Sequence, residues 1–154
     1  MSADAKAVNL QTAENLEGRI DVARCLGSSV FAMYVYDLVP GQASCPYHYE
    51  SREEWLLVVE GSVVIRRPDG DQSLERGDLV RFAAGPEGAH KIMNRSDSPA
   101  RTLVFSTAES PSFSVYPDSD KVGIFSDDPG ANLIFRRETA VPYSYGEDGW
   151  NRAG

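Results

Sequence analysis

The chain contains only two histidines, and one of them lies close to three glutamates. His48 is followed by Glu50, Glu53 and Glu54 in the segment PYHYESREEWLLVVEG. The other histidine, His90, lies in GDLVRFAAGPEGAHKIMN. Neutral imidazole nitrogens and carboxylate oxygens both bind first-row divalent metal ions. These residue types therefore predict a metal site, provided that the fold brings the two segments together.

Strand geometry indicates which of these side chains share a face. Residues two apart in a strand point to the same side, so we expect His48 and Glu50 to lie on one face. Glu54 has the same parity, across a bend, whereas Glu53 has the opposite parity and is expected to face solvent. If the strand of His90 lies beside that of Glu54, two imidazoles and two carboxylates converge. Two carboxylates in one interior would repel each other, and a divalent cation removes that repulsion.

The elements that must position these residues are short strands. The segments SSVFAMYVYDLVPG and ARTLVFSTA are rich in β-branched and aromatic residues and are bounded by turn residues. The triplet Pro68-Asp69-Gly70 predicts a hairpin between SVVIRR and DQSLER. No segment shows helical periodicity over three turns. The pattern predicts an all-β sandwich or barrel, and a length of 154 residues favours one domain.

The chain divides into three predicted parts. Residues 1–18 are polar and are expected to form a mobile or irregular N-terminal arm. Residues 19–116 carry the strands of the barrel. Residues 117–154 mix strand-like fragments with turn residues and are too short to hold a core of their own. We therefore expect this last part to be a short extension packed on the barrel.

The apolar segment WLLVVE, residues 55–60, raises the question of assembly. A strand with one exposed face alternates apolar and polar residues, but this segment is apolar at both parities. Something must cover its outer face, and the candidates are the N-terminal segment or a second subunit. We predict a homodimer, which elution at monomer mass in gel filtration would contradict.

The charge of the chain excludes two classes of partner. The net charge is −8 and no basic cluster stands out, which argues against nucleic acid and anionic membranes. No window approaches the roughly 18 apolar residues of a transmembrane helix, and the N-terminus lacks the apolar segment of a signal peptide. We expect a cytoplasmic protein, in which Cys25 and Cys45 remain thiols. The expected partner is a small-molecule ligand or substrate.

Two separated motifs resemble those of the cupin superfamily, and in particular its small single-domain bacterial members. The first motif is a glycine, a spacer, a histidine pair, a glutamate and a glycine, which correspond here to Gly41, His48, Glu50, Glu54 and Gly61. The second motif corresponds to Gly77, Ala83, Gly85, His90 and Asn94. The resemblance covers residues 41–94 and implies an antiparallel jelly-roll β-barrel with a divalent ion inside it.

The resemblance also implies roles for individual residues. The metal ligands fall on His48, Glu54 and His90, and Glu50 stands where the family has its second histidine. The loop before His90 carries two additional residues, and Ala83 replaces a proline. Glu50 is then either a fourth metal ligand or a general base beside the ion. Oxygen-rich ligation favours manganese or ferrous iron over copper, and zinc and nickel remain candidates.

Three functions are consistent with this site. The first is a metal-dependent enzyme, of the oxygenase, isomerase or lyase type, that acts on a small polar molecule. The second is a non-catalytic barrel that binds or senses a small ligand, and the third is a structural barrel with a degenerate metal site. Cys45 is expected to be a small buried thiol, with oxidation or contact with a substrate near the mouth of the barrel as the alternatives. Arg81 would bind an anionic substrate only if it faced inward.

Overall fold

The computed structural model describes residues 6–15 and 18–147, so that part of the predicted N-terminal arm and residues 148–154 of the predicted extension lie outside the described residues. The first elements are β1 Arg19–Asp21, α1 Val22–Cys25, β2 Phe31–Leu38, β3 Tyr49–Glu50, β4 Glu54–Glu60, β5 Ser62–Arg67 and β6 Gly70–Glu75. They are followed by β7 Leu79–Phe82, β8 Lys91–Met93, β9 Ala100–Thr107, β10 Ser112–Tyr116, β11 Lys121–Phe125 and β12 Leu133–Arg136. Short 3-10 turns span Pro86–Gly88, Pro117–Ser119, Pro129–Ala131 and Arg137–Thr139.

The strands form three antiparallel sheets. The largest has the order β1-β2-β9-β4-β7, the second has the order β12-β11-β10-β3, and the third has the order β6-β5-β8. Isolated bridges between His48 and His90 and between Ala43 and Met93 connect segments that flank the smaller sheets. The predicted all-β antiparallel architecture is therefore confirmed. In the described part of the chain, no helix is long and apolar enough to cross a membrane.

Strand β4 is an inner strand of the largest sheet, where it pairs with β9 on one side and β7 on the other. Leu56 and Val58 project into the main core, where their exposure is 0% and 1%. That core is made of ten buried residues: Leu38, Leu56, Val58, Val63, Ile65, Leu74, Phe82, Ile92, Ala100 and Val104. Glu54, the first residue of β4, has the same parity as Leu56 and Val58 and pairs with the core residue Phe82 of β7.

The opposite face of the sheet has a second core, which answers the question raised by WLLVVE. Val59 and Leu103 lie in a buried cluster with Ile20, and Leu57 packs against it. Val8, Leu10 and Ala13 of the N-terminal segment also pack against this cluster. Of the two predicted covers, the chain's own N-terminal segment is the one that the structure shows, and β1 with α1 completes it.

An arginine fixes this cover to the sheet. Arg101 on β9 forms two hydrogen bonds with the carboxylate of Asp37 on β2, at 2.6 and 2.8 Å. Its guanidinium also donates to the backbone carbonyls of Leu10 and Gln11, the latter at 2.7 Å. The hydrogen bonds from Arg101 keep the pKa of Asp37 below its usual value. The N-terminal segment is thus held by apolar packing and by one charged side chain.

Tight turns connect neighbouring strands as the sequence predicts. The hairpin between β5 and β6 is confirmed, and Arg67 pairs with Gly70 across its turn. Gly61, between β4 and β5, has a φ of +71°, and a Cβ atom there would lie 2.6 Å from the carbonyl oxygen of Pro99. Only glycine fits that position without displacing the neighbouring backbone.

The C-terminal part adds strands to a sheet edge. Strand β11 pairs with β10, and β12 pairs with β11, so the segment predicted as an extension continues the second sheet. All four residues of β12 are exposed, including Leu133, Ile134 and Phe135 at 57%, 59% and 41%. The C-terminal strand β12 therefore leaves apolar side chains exposed, whereas the described N-terminal segment covers the apolar outer face of the largest sheet.

Candidate metal centre

The two histidines are brought together by direct backbone pairing. The amide of His48 donates to the carbonyl of His90 at 3.0 Å, and the amide of His90 donates to the carbonyl of His48 at 2.8 Å. Directly opposed residues in an antiparallel pair place their side chains on the same face. The two imidazole centroids are accordingly 4.8 Å apart, and both residues are buried.

Backbone carbonyls set the tautomer of both imidazoles. Nδ1 of His48 lies 2.9 Å from the carbonyl oxygen of Pro46, and Nδ1 of His90 lies 2.9 Å from that of Gly88. Because a carbonyl oxygen only accepts, each Nδ1 carries a proton, and Nε2 is the atom available to a metal. Such outer hydrogen bonds are typical of metal-binding histidines.

The loop that carries two additional residues before His90 supplies one of these carbonyls. It forms the 3-10 turn Pro86–Gly88, which ends two residues before His90. A Cβ atom on Gly88 would lie 1.7 Å from the carbonyl oxygen of Ala83, so this turn closes only with glycine. The turn in this longer loop therefore supplies the carbonyl oxygen of Gly88 as the hydrogen-bond acceptor for Nδ1 of His90.

Glu54 faces both histidines. Its Oε2 lies 3.5 Å from Nε2 of His48 and 3.3 Å from Nε2 of His90. Two donors that each lie about 2.1 Å from one metal ion, at a tetrahedral angle, are separated by about 3.4 Å. Oε2 of Glu54 is buried and has no hydrogen-bond partner among the described residues. An unpaired buried carboxylate oxygen beside two imidazole nitrogens is a donor set that suits a divalent cation.

Glu50 is adjacent to this group but is held by other side chains. Its Oε1 lies 3.8 Å from Nε2 of His48 and accepts a hydrogen bond from Ser114 at 3.4 Å. Its Oε2 accepts a hydrogen bond from Nε of Arg52 at 3.0 Å. Burial opposes ionisation, but the interactions with His48 and Arg52 outweigh it and lower the pKa of Glu50. Glu50 is thus an ionised carboxylate at neutral pH.

A protein-family model matches the part of the chain that holds these residues. Residues 34–106 match the family model described as a cupin domain. This part of the chain is a cupin domain. It includes both sequence motifs and all four predicted ligands, and the resemblance on which they rest is confirmed.

Similar proteins agree with this assignment. The curated tetracenomycin polyketide synthase protein TcmJ of Streptomyces glaucescens is 30% identical over 67 residues, which are 44% of this chain and 44% of TcmJ, less than half of its length. A crystal structure of a cupin-superfamily sugar phosphate isomerase from Silicibacter pomeroyi has a TM-score of 0.74 at 27% identity, covering 81% of this chain and 80% of the other. The polyketide cyclase RemF of Streptomyces resistomycificus has a TM-score of 0.58 at 20% identity, covering 81% and 89%, and shows the fold alone.

The two histidines of this cupin differ in their electrostatic surroundings. Burial disfavours the imidazolium of His48, but the nearby thiol of Cys45 and carboxylates of Glu50 and Glu54 outweigh burial and raise the pKa. For His90 burial dominates and lowers the pKa, and the ring stacks on Phe82 at a centroid distance of 3.6 Å. A cation at this centre would take the place of the proton that the carboxylates attract to His48.

Three contacts at the cupin centre are absent from the predictions made from sequence. Cys45 is half-buried, and its sulfur lies within 4.8 Å of ligand atoms of both histidines. Arg52 and Ser114 hold Glu50 in place. The bend at residues 51–53 brings Arg52 beside Glu50. The sequence predicts this bend but not the direction in which the Arg52 side chain points. Cys45 was visible three residues before His48, but a single thiol carries no spacing of its own.

The remaining expectations concern residues outside the centre. Glu53 faces solvent, as predicted, and forms a surface ion pair with Arg81. Arg81 therefore points away from the interior and is not the group that would bind an anionic substrate. Trp55 also points outward, where it stacks on Phe105 at a centroid distance of 6.2 Å.

The centre lies in a cavity of about 550 Å³ that is large enough for a small molecule. Four residues with hydroxyl groups line the cavity: Tyr36, Ser112, Ser114 and Tyr116. Burial raises the pKa of both tyrosines, so their hydroxyls stay protonated at neutral pH. The cavity therefore offers hydrogen-bond donors around the candidate metal position.

Proposed function

We propose that this cupin is a metal-dependent enzyme that acts on a small polar molecule in the 550 Å³ cavity. The observation that carries the proposal is the buried Oε2 of Glu54, which has no hydrogen-bond partner within the described part of the chain. Burying a carboxylate oxygen without a hydrogen-bond partner destabilises the folded state by roughly 1–3 kcal/mol, because the oxygen loses its hydration. A purely structural role would not explain that cost. A bound cation would remove that cost.

His48, Glu54 and His90 would hold the ion. The two imidazoles offer their Nε2 atoms, and the carboxylate offers Oε2. When bound, a divalent ion supplies a Lewis acid or an open position for oxygen. Two imidazoles with one carboxylate are the donor set of non-haem ferrous sites, and manganese, zinc and nickel are the other candidates.

Glu50 serves as the general base in this proposal. Both of its oxygens already accept hydrogen bonds, from Ser114 and from Arg52, whereas Oε2 of Glu54 accepts none within the described residues. This difference favours Glu54 as the ligand and Glu50 as the proton acceptor. Its lowered pKa keeps the carboxylate at neutral pH in the ionised form that a general base requires.

An isomerisation by proton transfer is the reaction that these residues support best. Glu50 would take a proton from a carbon beside a carbonyl group and return it to the neighbouring carbon, while a hydroxyl proton passes to the carbonyl oxygen. No external oxidant or reductant is needed. The relative from Silicibacter pomeroyi is a sugar phosphate isomerase, which supports this reaction type at 27% identity.

An oxygenase is the second candidate. Two histidines and one carboxylate are the ligands of many non-haem ferrous oxygenases. Uptake of dioxygen with a ferrous ion would favour it over the isomerase. A cupin that binds a ligand without turnover, or one that holds no metal, corresponds to the two non-enzymatic functions considered above.

Metal analysis of four variants tests the proposal. We expect protein purified without added metal to contain close to one ion per chain, and His48→Ala, His90→Ala and Glu54→Gln to contain almost none. Glu50→Gln should keep the ion and lose turnover, because it removes the base and not a ligand. Glu53→Gln is the matched control, since that carboxylate faces solvent. Unchanged metal content in both histidine variants would overturn the proposal.

The homodimer stays a prediction. The N-terminal segment covers the outer face that first suggested a second subunit. The exposed apolar residues of the edge strand β12 now give the main support, because a second copy would cover them.

A further inference from the structure

Two arginines line the cavity, and they differ in their partners. Arg52 forms an ion pair with Glu50 at 3.0 Å. Arg19, on the edge strand β1, also lines the cavity but forms no ion pair with a carboxylate of the described residues. A cation that borders a substrate cavity without a protein anion beside it is available to a ligand.

Two tyrosines hold the Arg19 side chain at the cavity wall. Its guanidinium carbon lies 4.5 Å from the centre of the Tyr34 ring. The proximity of this guanidinium to Tyr36 counteracts part of the rise in pKa that burial causes in that tyrosine. Tyr36 is also the residue that faces Arg19 in the pairing of β1 with β2. Aromatic contacts fix the direction of a guanidinium and leave its charge unneutralised.

The same wall continues to the candidate metal position. Tyr36, Cys45 and His48 all line this cavity, and the sulfur of Cys45 lies within 4.8 Å of a ring nitrogen of His48. Arg19 and the His48 imidazole thus border one and the same cavity. A small ligand in the cavity would have one end near the metal and the other near the guanidinium.

The charges at the cavity favour an anionic ligand. Arg52 neutralises Glu50, and a divalent ion bound by Glu54 would leave one positive charge at the centre. Arg19 adds another. A chain with a net charge of −8 repels anions in general, so an anionic substrate needs a local positive group of this kind.

We propose that Arg19 binds the terminal phosphate or carboxylate of a small hydroxylated substrate whose other end reaches the metal centre. This inference rests on the proposed function, because it takes the cavity to be a substrate site. The planar guanidinium, with its five N–H donors, forms paired hydrogen bonds with either anion.

Calorimetric titration with three matched probes tests the proposal. Glycerol 3-phosphate, glycerate and glycerol share one carbon skeleton and differ in their terminal group. Each is titrated into metal-free and manganese-loaded protein. Arg19→Gln is the test variant. Arg24→Gln is the control, because Arg24 is exposed on the neighbouring helix α1 and does not line the cavity.

We expect the anionic probes to bind and Arg19→Gln to weaken at least one of them by about tenfold or more. Arg24→Gln should change affinity by less than about twofold, and Arg19→Lys should fall between the native chain and Arg19→Gln. The ratio of glycerol 3-phosphate to glycerate affinity tells which anion the subsite prefers.

Three results would overturn the inference: no binding of either anion, equal binding of glycerol, or affinities that Arg19→Gln leaves unchanged. Circular dichroism of each variant checks that the fold is retained. If manganese binds and Arg19 has no effect, the subsite is wrong and the metal centre stands. If the metal-free protein binds the anions through Arg19 and takes up no metal, the subsite stands and the proposed function fails.

Discussion

The two faces of β4 are built from one strand but are completed in different ways. On the outer face, Leu57 and Val59 belong to an apolar cluster that the N-terminal segment covers. On the inner face, Leu56 lies in the main core, but Glu54 ends the row with a buried oxygen that has no partner within the described residues. One face is closed by the chain itself, whereas the other ends in a carboxylate oxygen that, under the proposed function, a bound cation would pair.

This difference separates stability from function within a single sheet. Substitutions on the outer face should change the free energy of unfolding and leave ion binding unchanged. Substitutions at the inner end should change ion binding, and some should make the ion-free protein more stable. Each of the following experiments tests that separation.

The largest effect is expected for Glu54→Met, which keeps the length of the side chain and removes the carboxylate. Metal affinity should fall by more than the roughly 100-fold that loss of an outer hydrogen-bond partner costs. The ion-free protein should gain about 1–3 kcal/mol, because an unpaired buried acceptor is removed. Calorimetric titration and urea unfolding measure the two changes. Glu53→Met is the control, and a less stable Glu54→Met protein would contradict the interpretation of Oε2 as unpaired.

On the outer face, Leu103→Ala should lower the free energy of unfolding by about 2–5 kcal/mol. Leu103 is only 6% exposed and lies opposite Leu57 in the sheet. Its removal leaves a cavity beneath the N-terminal segment. Metal affinity of the folded variant should equal that of the native chain, and a loss of affinity would show that the two faces are coupled. Leu79→Ala, at a site that is 54% exposed, controls for the substitution itself.

The smallest effect is expected for Arg101→Ala, which removes the hydrogen bonds to Asp37 and to the backbone of Leu10 and Gln11. We expect a loss of about 1 kcal/mol and faster cleavage within residues 6–15 in limited proteolysis. Since Arg101 lowers the pKa of Asp37 in the folded state, the pair stabilises the protein above the usual aspartate pKa. That stabilisation disappears as the pH falls through the lower pKa of the folded state. The hydrogen bonds to Leu10 and Gln11 do not titrate, so a difference from the native chain that does not shrink at all in acid would contradict this role of the pair.

The sequence predicts those parts of the fold that local chemistry determines. The hairpin of β5 and β6 depends on three consecutive turn residues, and the strands β2 and β9 are dense in β-branched and aromatic residues. The parity of His48, Glu50 and Glu54 indicates a shared face. The place of His90 beside them followed from the resemblance and not from any local signal.

The contacts that the sequence does not predict depend on pairing between distant segments. Arg19 reaches the cavity because β1 pairs with the edge of β2. No residue pattern near Arg19 predicts that pairing. The ion pair of Glu50 with Arg52 needs the bend after β3. The helix α1 is four residues long, too short for helical periodicity to appear. The sequence leaves open whether the N-terminal segment or a second subunit covers the outer face of β4. The packing of Val8 and Leu10 against that face, which only the structure shows, identifies the N-terminal segment.

The unpaired oxygen of Glu54 also bears on the lifetime of the protein. A ligand that binds only the native state stabilises it in proportion to the logarithm of its concentration. The amount of intact protein in a cell would then follow the supply of the preferred ion, since unfolded chains are removed by proteases. Starvation for that ion would deplete the polypeptide as well as its activity.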